Sequence, residues 1–191
     1  MMLVIAGALS EMVSAVLIGY YHKSNAADIK IYSLLESLIV LYQFCVWRKS
    51  GRARQMFLVL WVACIAFWFI EVVVFHNLNT FSPFFRVFYA FIIVLFSINQ
   101  INALMFNHDG PLFKNPRFLL CLGFIVFFIY QILYEASYYI LAEPSIHRLE
   151  VAIKIIMGFG YINFIINLLY ALTLFYVSDK KDDYNYYFNE Q

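Results

Sequence analysis

Six ionisable residues lie inside apolar stretches of this chain: Glu11, Glu36, Glu71, Arg86, Glu135 and Lys154. Carboxylates take up and release protons or hold cations, and Arg and Lys supply counter-charge or hold anions. At the centre of a membrane helix such a group costs roughly 2.5–3.5 kcal/mol, so it faces a bundle interior or a water-filled cavity and finds partners there. Two readings follow. In the structural one, these residues are ion pairs and snorkelling chains that hold helices in register. In the functional one, they surround a polar cavity that binds a small ligand or ion.

The stretches that must position them run roughly 3–21, 30–47, 56–75, 83–106, 118–142 and 150–177. Each is about the length needed to cross a ~30 Å hydrocarbon core. Their apolarity is continuous rather than alternating, which fits a helix that satisfies every backbone amide internally and excludes a closed β-barrel. Apolar residues make up 64% of the chain and charged ones 13%, which leaves no segment for a separate soluble domain. The expectation is an all-α fold, a polytopic transmembrane bundle of six spanning helices over 1–178, with a short cytoplasmic tail over 179–191. The first run reads as a retained helix, because it has no basic stretch ahead of it, carries Glu11 mid-way and lacks a small-x-small cleavage site before Tyr20 and Tyr21.

Net charge is only +1, so no basic field points to nucleic acid, and the placement of Lys and Arg matters more than their sum. Arg48, Lys49, Arg52 and Arg54 cluster in one connection; Lys114 and Arg117, then Lys180 and Lys181, fall on the same side under alternating topology. These place the 48–55 and 107–117 connections and both termini in the cytoplasm. Polar and turn-forming residues at 22–28, Ser50-Gly51, 77–83, 107–111 and 143–145 mark the connections, short enough to make sequential helices antiparallel neighbours. Under this topology Glu36, Glu71, Arg86, Glu135 and Lys154 share the outer half of the membrane, with His22, His76 and His147 close to that layer and Glu11 mid-span.

The remaining polar residues read as packing devices first. Ala6, Ser10 and Ser14 form a small-xxx-small stripe that admits another helix, and Gly158 and Gly160 serve close packing or a bend. Ser97, Asn99, Gln100 and Asn102, with Asn163 and Asn167, are candidate interhelical hydrogen-bonding groups; Gln43 and Gln131 join that network or line a path from the outer cavity. Tyr20, Tyr21, Trp47, Trp61, Tyr138, Tyr139 and Tyr176 lie near span ends as interfacial anchors. Cys45, Cys64 and Cys121 lie in separate spans without CxxC spacing, which supports neither disulfides nor a zinc site.

Specific chemistries find less support. Metal hydrolysis would need histidines in HxxxH or HExxH spacing, and these are absent; so are GxSxG, a Walker A loop and a dinucleotide fingerprint. A retinal Schiff base would require a deeply placed Lys, but Lys154 lies less than two turns from its helix start, where snorkelling is ordinary. Carboxylates at different depths could relay protons, although no span carries the paired Gly or Pro breaks of transporter half-helices.

At Ile31-Tyr32-Ser33-Leu34-Leu35-Glu36, and at Leu112-Phe113-Lys114-Asn115-Pro116-Arg117-Phe118 through Gly123, the chain resembles a family of multi-span membrane proteins from Bacteroidota bacteria. That family shares a Tyr-x-x-x-Glu opening to one helix and an Asn-Pro-x-Phe opening to a later one, with a Gly about five residues on. Glu11 matches an acidic position in its preceding helix. Its members usually carry seven spans, one more before the first helix here, which leaves open a shortened start or a six-span member. The resemblance implies a bacterial inner membrane and a bundle of six or seven helices, implies no activity, and singles out Glu11 and Glu36.

The sequence thus points to an integral membrane protein that binds or senses a small ligand through an outward-facing polar cavity. A small, proton-coupled transporter is the alternative, and a membrane-embedded enzyme the third reading. No cofactor or metal is implied. Beyond the lipid bilayer, the expected partners are a small-molecule or ion ligand and a membrane protein or second copy of the chain.

Overall fold

The computed structural model describes residues 2–21, 24–47, 51–75, 83–107, 111–141 and 146–179. They form α1 (Met2–Gly19), α2 (Ala26–Trp47), α3 (Gly51–Phe69), α4 (Phe84–Asn107), α5 (Pro116–Leu141) and α6 (Ile146–Asp179). A π-helical turn, Ile70–Phe75, prolongs α3, and a 3₁₀ turn, Leu112–Lys114, precedes α5. No strand occurs among the described residues. Five helices, α2 to α6, are long and apolar enough to cross a membrane; α1 is a shorter apolar helix over Ala6–Gly19. Large apolar side chains such as Val62, Met157 and Phe164 stand at least 66% exposed. Exposed large apolar side chains occur on every helix, which suits hydrocarbon rather than water.

Helix starts have readable causes. The Ser24 hydroxyl accepts the Ala26 N–H at 3.2 Å ahead of α2. Asn115 accepts the Arg117 N–H at 3.0 Å, with Pro116 as the first residue of α5, where its missing N–H costs nothing. The Asn-Pro-x-Phe signature is therefore a helix cap, completed by an edge-to-face contact of Phe113 with Phe118 at 5.4 Å. Buried hydroxyls inside the helices are satisfied by their own backbone: Ser33, Ser37 and Ser97 each donate to a carbonyl one turn back at 2.8 Å.

The chain divides into two compact units, Met1–Tyr89 and Ala90–Gln191. In the first, α2 packs between α1 and α3, and the opening turns of α4 join them. Its buried apolar core includes Val40, Leu41, Phe44, Phe57 and Cys64. Ser10 and Ser14 of the small-residue stripe donate to the Asp28 carboxylate in the first turn of α2, at 3.0 and 2.6 Å, and Asn25 donates to Ser14 at 3.3 Å. The stripe is thus both a close contact and a hydrogen-bonded clamp.

The second unit centres on the α5–α6 hairpin. Tyr130 donates to the Ile155 carbonyl at 2.9 Å, Phe127 and Tyr134 pack on Phe159, and Phe124 meets Tyr170 edge-on. Two glycines make this approach close. A Cβ on Gly123 would lie 2.7 Å from Tyr170 and 3.0 Å from Leu169, and one on Gly158 would collide with the Tyr130 hydroxyl. Each helix therefore contributes one glycine recess and one tyrosine to fill the recess opposite.

Candidate functional site

The polar site of the first unit is built where α3 ends and α2 and α4 begin. Residues 32 and 36 lie one helical turn apart, which puts both side chains on one face of α2. Tyr32 donates its hydroxyl to Glu36 Oε1 at 3.2 Å, and Tyr89 of α4 donates to Oε2 at 2.5 Å. Glu36 itself is 3% exposed. The Arg86 guanidinium, three residues before Tyr89 on α4, lies close enough to act on that carboxylate electrostatically. Two hydroxyl donors and a nearby cation give this buried carboxyl the partners that a group of its kind requires away from water.

The same unit holds a second buried acid. Glu71 lies in the π-helical turn, buried, and its Oε2 accepts the Phe85 N–H at 2.5 Å. That N–H belongs to the first turn of α4, where helix geometry leaves backbone donors without intrahelical acceptors. A carboxylate there also opposes the positive end of the helix dipole. Lys30 of α2 is buried and attracts Glu71, and Trp68 donates its indole N–H to the Lys30 carbonyl at 2.9 Å. Phe67 stacks on Phe85 and Phe88, closing the apolar wall of this region.

Of the six residues read from sequence, Glu36, Glu71 and Arg86 come together in this unit. Glu11 stands on the exposed side of α1 and acts electrostatically on Tyr32, the residue that donates to Glu36. Glu135 belongs to the second unit, fully buried, with Gln131 one turn before it on α5. Lys154 departs from expectation: its side chain is 72% exposed and pairs at 2.7 Å with Glu150, one turn earlier on the same helix. The spacing that produces this pair was present in the sequence, but Glu150 sat at the margin of the apolar run.

Lys30, Asp28, Tyr89 and Trp68 were missed. Asp28 lies in the part of α2 that precedes the apolar run and Lys30 is that run's first residue, so both read as residues of a connection or a span end. Tyr89 and Trp68 carry no signature separating a hydrogen-bonding aromatic from an interfacial one. The amides Asn163 and Asn167 bond to each other within α6 at 3.1 Å rather than across helices. Among the described residues no three metal-ligating side chains converge. His22, Arg48, Lys49, His76 and the tail from residue 180 lie outside the described residues, as do the side chains of Arg52, Tyr138, Tyr139, His147 and Tyr176.

Compared with known protein families, curated proteins and solved structures, the chain finds no match.

Proposed function

We propose that this is an integral membrane protein that binds or senses a small ligand at an outward-facing polar cavity, with Glu36 as the residue that receives it. The observation that carries this reading is the buried Glu36 carboxylate, held by Tyr32 and Tyr89 from two helices with Arg86 beside it. Buried charge of this kind costs stability, and membrane proteins retain it where ions or substrates are handled. Six spans, cytoplasmic termini and a bacterial inner membrane complete the proposal; the basic Arg48–Arg54 connection and the resemblance to the Bacteroidota family support them.

A specific observation favours the proton-coupled transporter as the second reading. Glu11 is exposed on α1 and acts electrostatically on Tyr32, whose hydroxyl donates to the buried Glu36. Carboxylates at different depths are the parts from which proton relays are built.

Two measurements test the readings. Thermal denaturation of the purified protein with amino acids, small organic acids and alkali cations should show stabilisation by one class, lost in Glu36→Gln; saturation at 100 times Kd corresponds to about 2.7 kcal/mol. Proteoliposomes with an internal pH dye then separate binding from transport. An imposed gradient that dissipates in wild type but not in Glu36→Gln favours transport. Absence of both stabilisation and flux removes the site reading.

A further inference from the structure

Helix α6 is the least covered of the five helices long enough to cross a membrane. Among the residues of its span Leu149–Thr173 only Ala152, Ile166 and Thr173 are buried, against nine residues in the shorter Pro116–Ser137 span of α5. Ile155, Gly158, Phe159 and Tyr170 form the face turned to α5. Roughly a quarter-turn around the helix runs a second line: Ile156, Gly160, Asn163 and Asn167. Its spacing of four, three and four residues is that of a seam between two helices in a left-handed supercoil.

The chemistry of this line is unusual for a lipid-facing surface. Asn163 and Asn167 lie well inside the apolar span, Asn167 exposed and Asn163 partly so. Asn167 donates to the Asn163 carbonyl oxygen at 3.1 Å, which leaves the Asn167 carbonyl and N–H groups of both side chains available outward. Lipid tails offer neither donors nor acceptors. Gly160, one turn before Asn163, has open space where a Cβ would stand.

We propose that α6 is a self-association helix, and that a second copy of this chain docks its own α6 in parallel along Ile156, Gly160, Asn163 and Asn167. The residues argue for a second copy over an unrelated helix. Copies inserted in the same orientation and related by a two-fold axis along the membrane normal bring identical positions face to face. A carboxamide is both donor and acceptor, so it is complementary to itself: Asn163 meets Asn163, and Asn167 meets Asn167. Asn at such a seam fixes register, and Gly160 lets the two backbones approach. None of the four positions carries a charge that a two-fold partner would repel. This inference is independent of the Glu36 site.

The test uses the full chain in lipid. Donor- and acceptor-labelled wild type in proteoliposomes should show energy transfer that falls as the protein-to-lipid ratio is lowered, the signature of a reversible dimer. The Asn163→Leu, Asn167→Leu double variant should dimerise at least about tenfold more weakly, about 1.4 kcal/mol, with its thermal midpoint unchanged. Gly160→Cys, in a chain with Cys45, Cys64 and Cys121 replaced by Ala, should form a disulfide-linked dimer under mild oxidation. No transfer in wild type at any ratio, transfer unchanged in the double variant, or failure of Gly160→Cys to link a second copy would each overturn the proposal. Should the double variant fail to fold, the cysteine result decides alone.

Discussion

Glu36 makes the sharpest demand of any single residue, because its carboxylate is buried and must be either part of the fold's framework or part of a site. The substitution Glu36→Gln separates these roles. If Glu36 only ties α2 to α4, a neutral amide with one acceptor oxygen loses a charge-assisted bond to Tyr32 or Tyr89 and stability falls. If it is a binding group, the fold is relieved of a buried charge and stability is equal or improved. The second outcome is expected, read as thermal midpoints of both proteins across pH; a loss at every pH assigns Glu36 to the framework. The Tyr32–Glu36 contact was legible, since one-turn spacing in an apolar run already places both on one face. Its partner Tyr89 was not, because a contact across helices depends on rotation and depth that one sequence does not encode. For Lys154 the sequence left two readings, a member of the polar layer or a chain snorkelling near its helix start, and its exposed pairing with Glu150 one turn earlier accords with the second.

At the scale of elements, helix ends matter most. Glu71 caps the opening of α4 from a π-helical turn, so its loss should be felt in a helix it does not belong to. Glu71→Leu should destabilise the protein by about 1–3 kcal/mol, the cost of a buried donor left unmade, and Glu71→Gln, which keeps an acceptor, by less. Hydrogen exchange at the first amides of α4 checks this: faster exchange should be larger for Leu than for Gln. Gly158→Ala, whose methyl would occupy the place of the Tyr130 hydroxyl, should cost about 1–3 kcal/mol through overpacking. Tyr130→Phe in the same chain should recover part of that loss, read from thermal midpoints as a double-mutant cycle. The six helices were legible because long continuous apolar runs have no competing interpretation at that length. The π-helical turn was not, since Ile70–Phe75 reads as an ordinary continuation of α3 and its wider winding depends on what it packs against.

For the whole molecule, the proposed orientation in the membrane rests on one basic connection. In a chain lacking Cys45, Cys64 and Cys121, Asn79→Cys should react with an impermeant reagent from outside, and Gly51→Cys only after permeabilisation. The reverse pattern would invert the proposed cavity along with the topology. Within the second unit, the tyrosines and glycines of α5 and α6 carry a consequence for motion. Because Tyr130 fills the recess at Gly158 while Tyr170 fills the one at Gly123, the two helices are keyed against each other at two separate heights. Sliding one past the other by a single turn, about 5.4 Å, would drive both rings out of their recesses at once. The hairpin can therefore tilt or swing as one piece, but it cannot shear; a conformational cycle involving α6 has to carry α5 along with it.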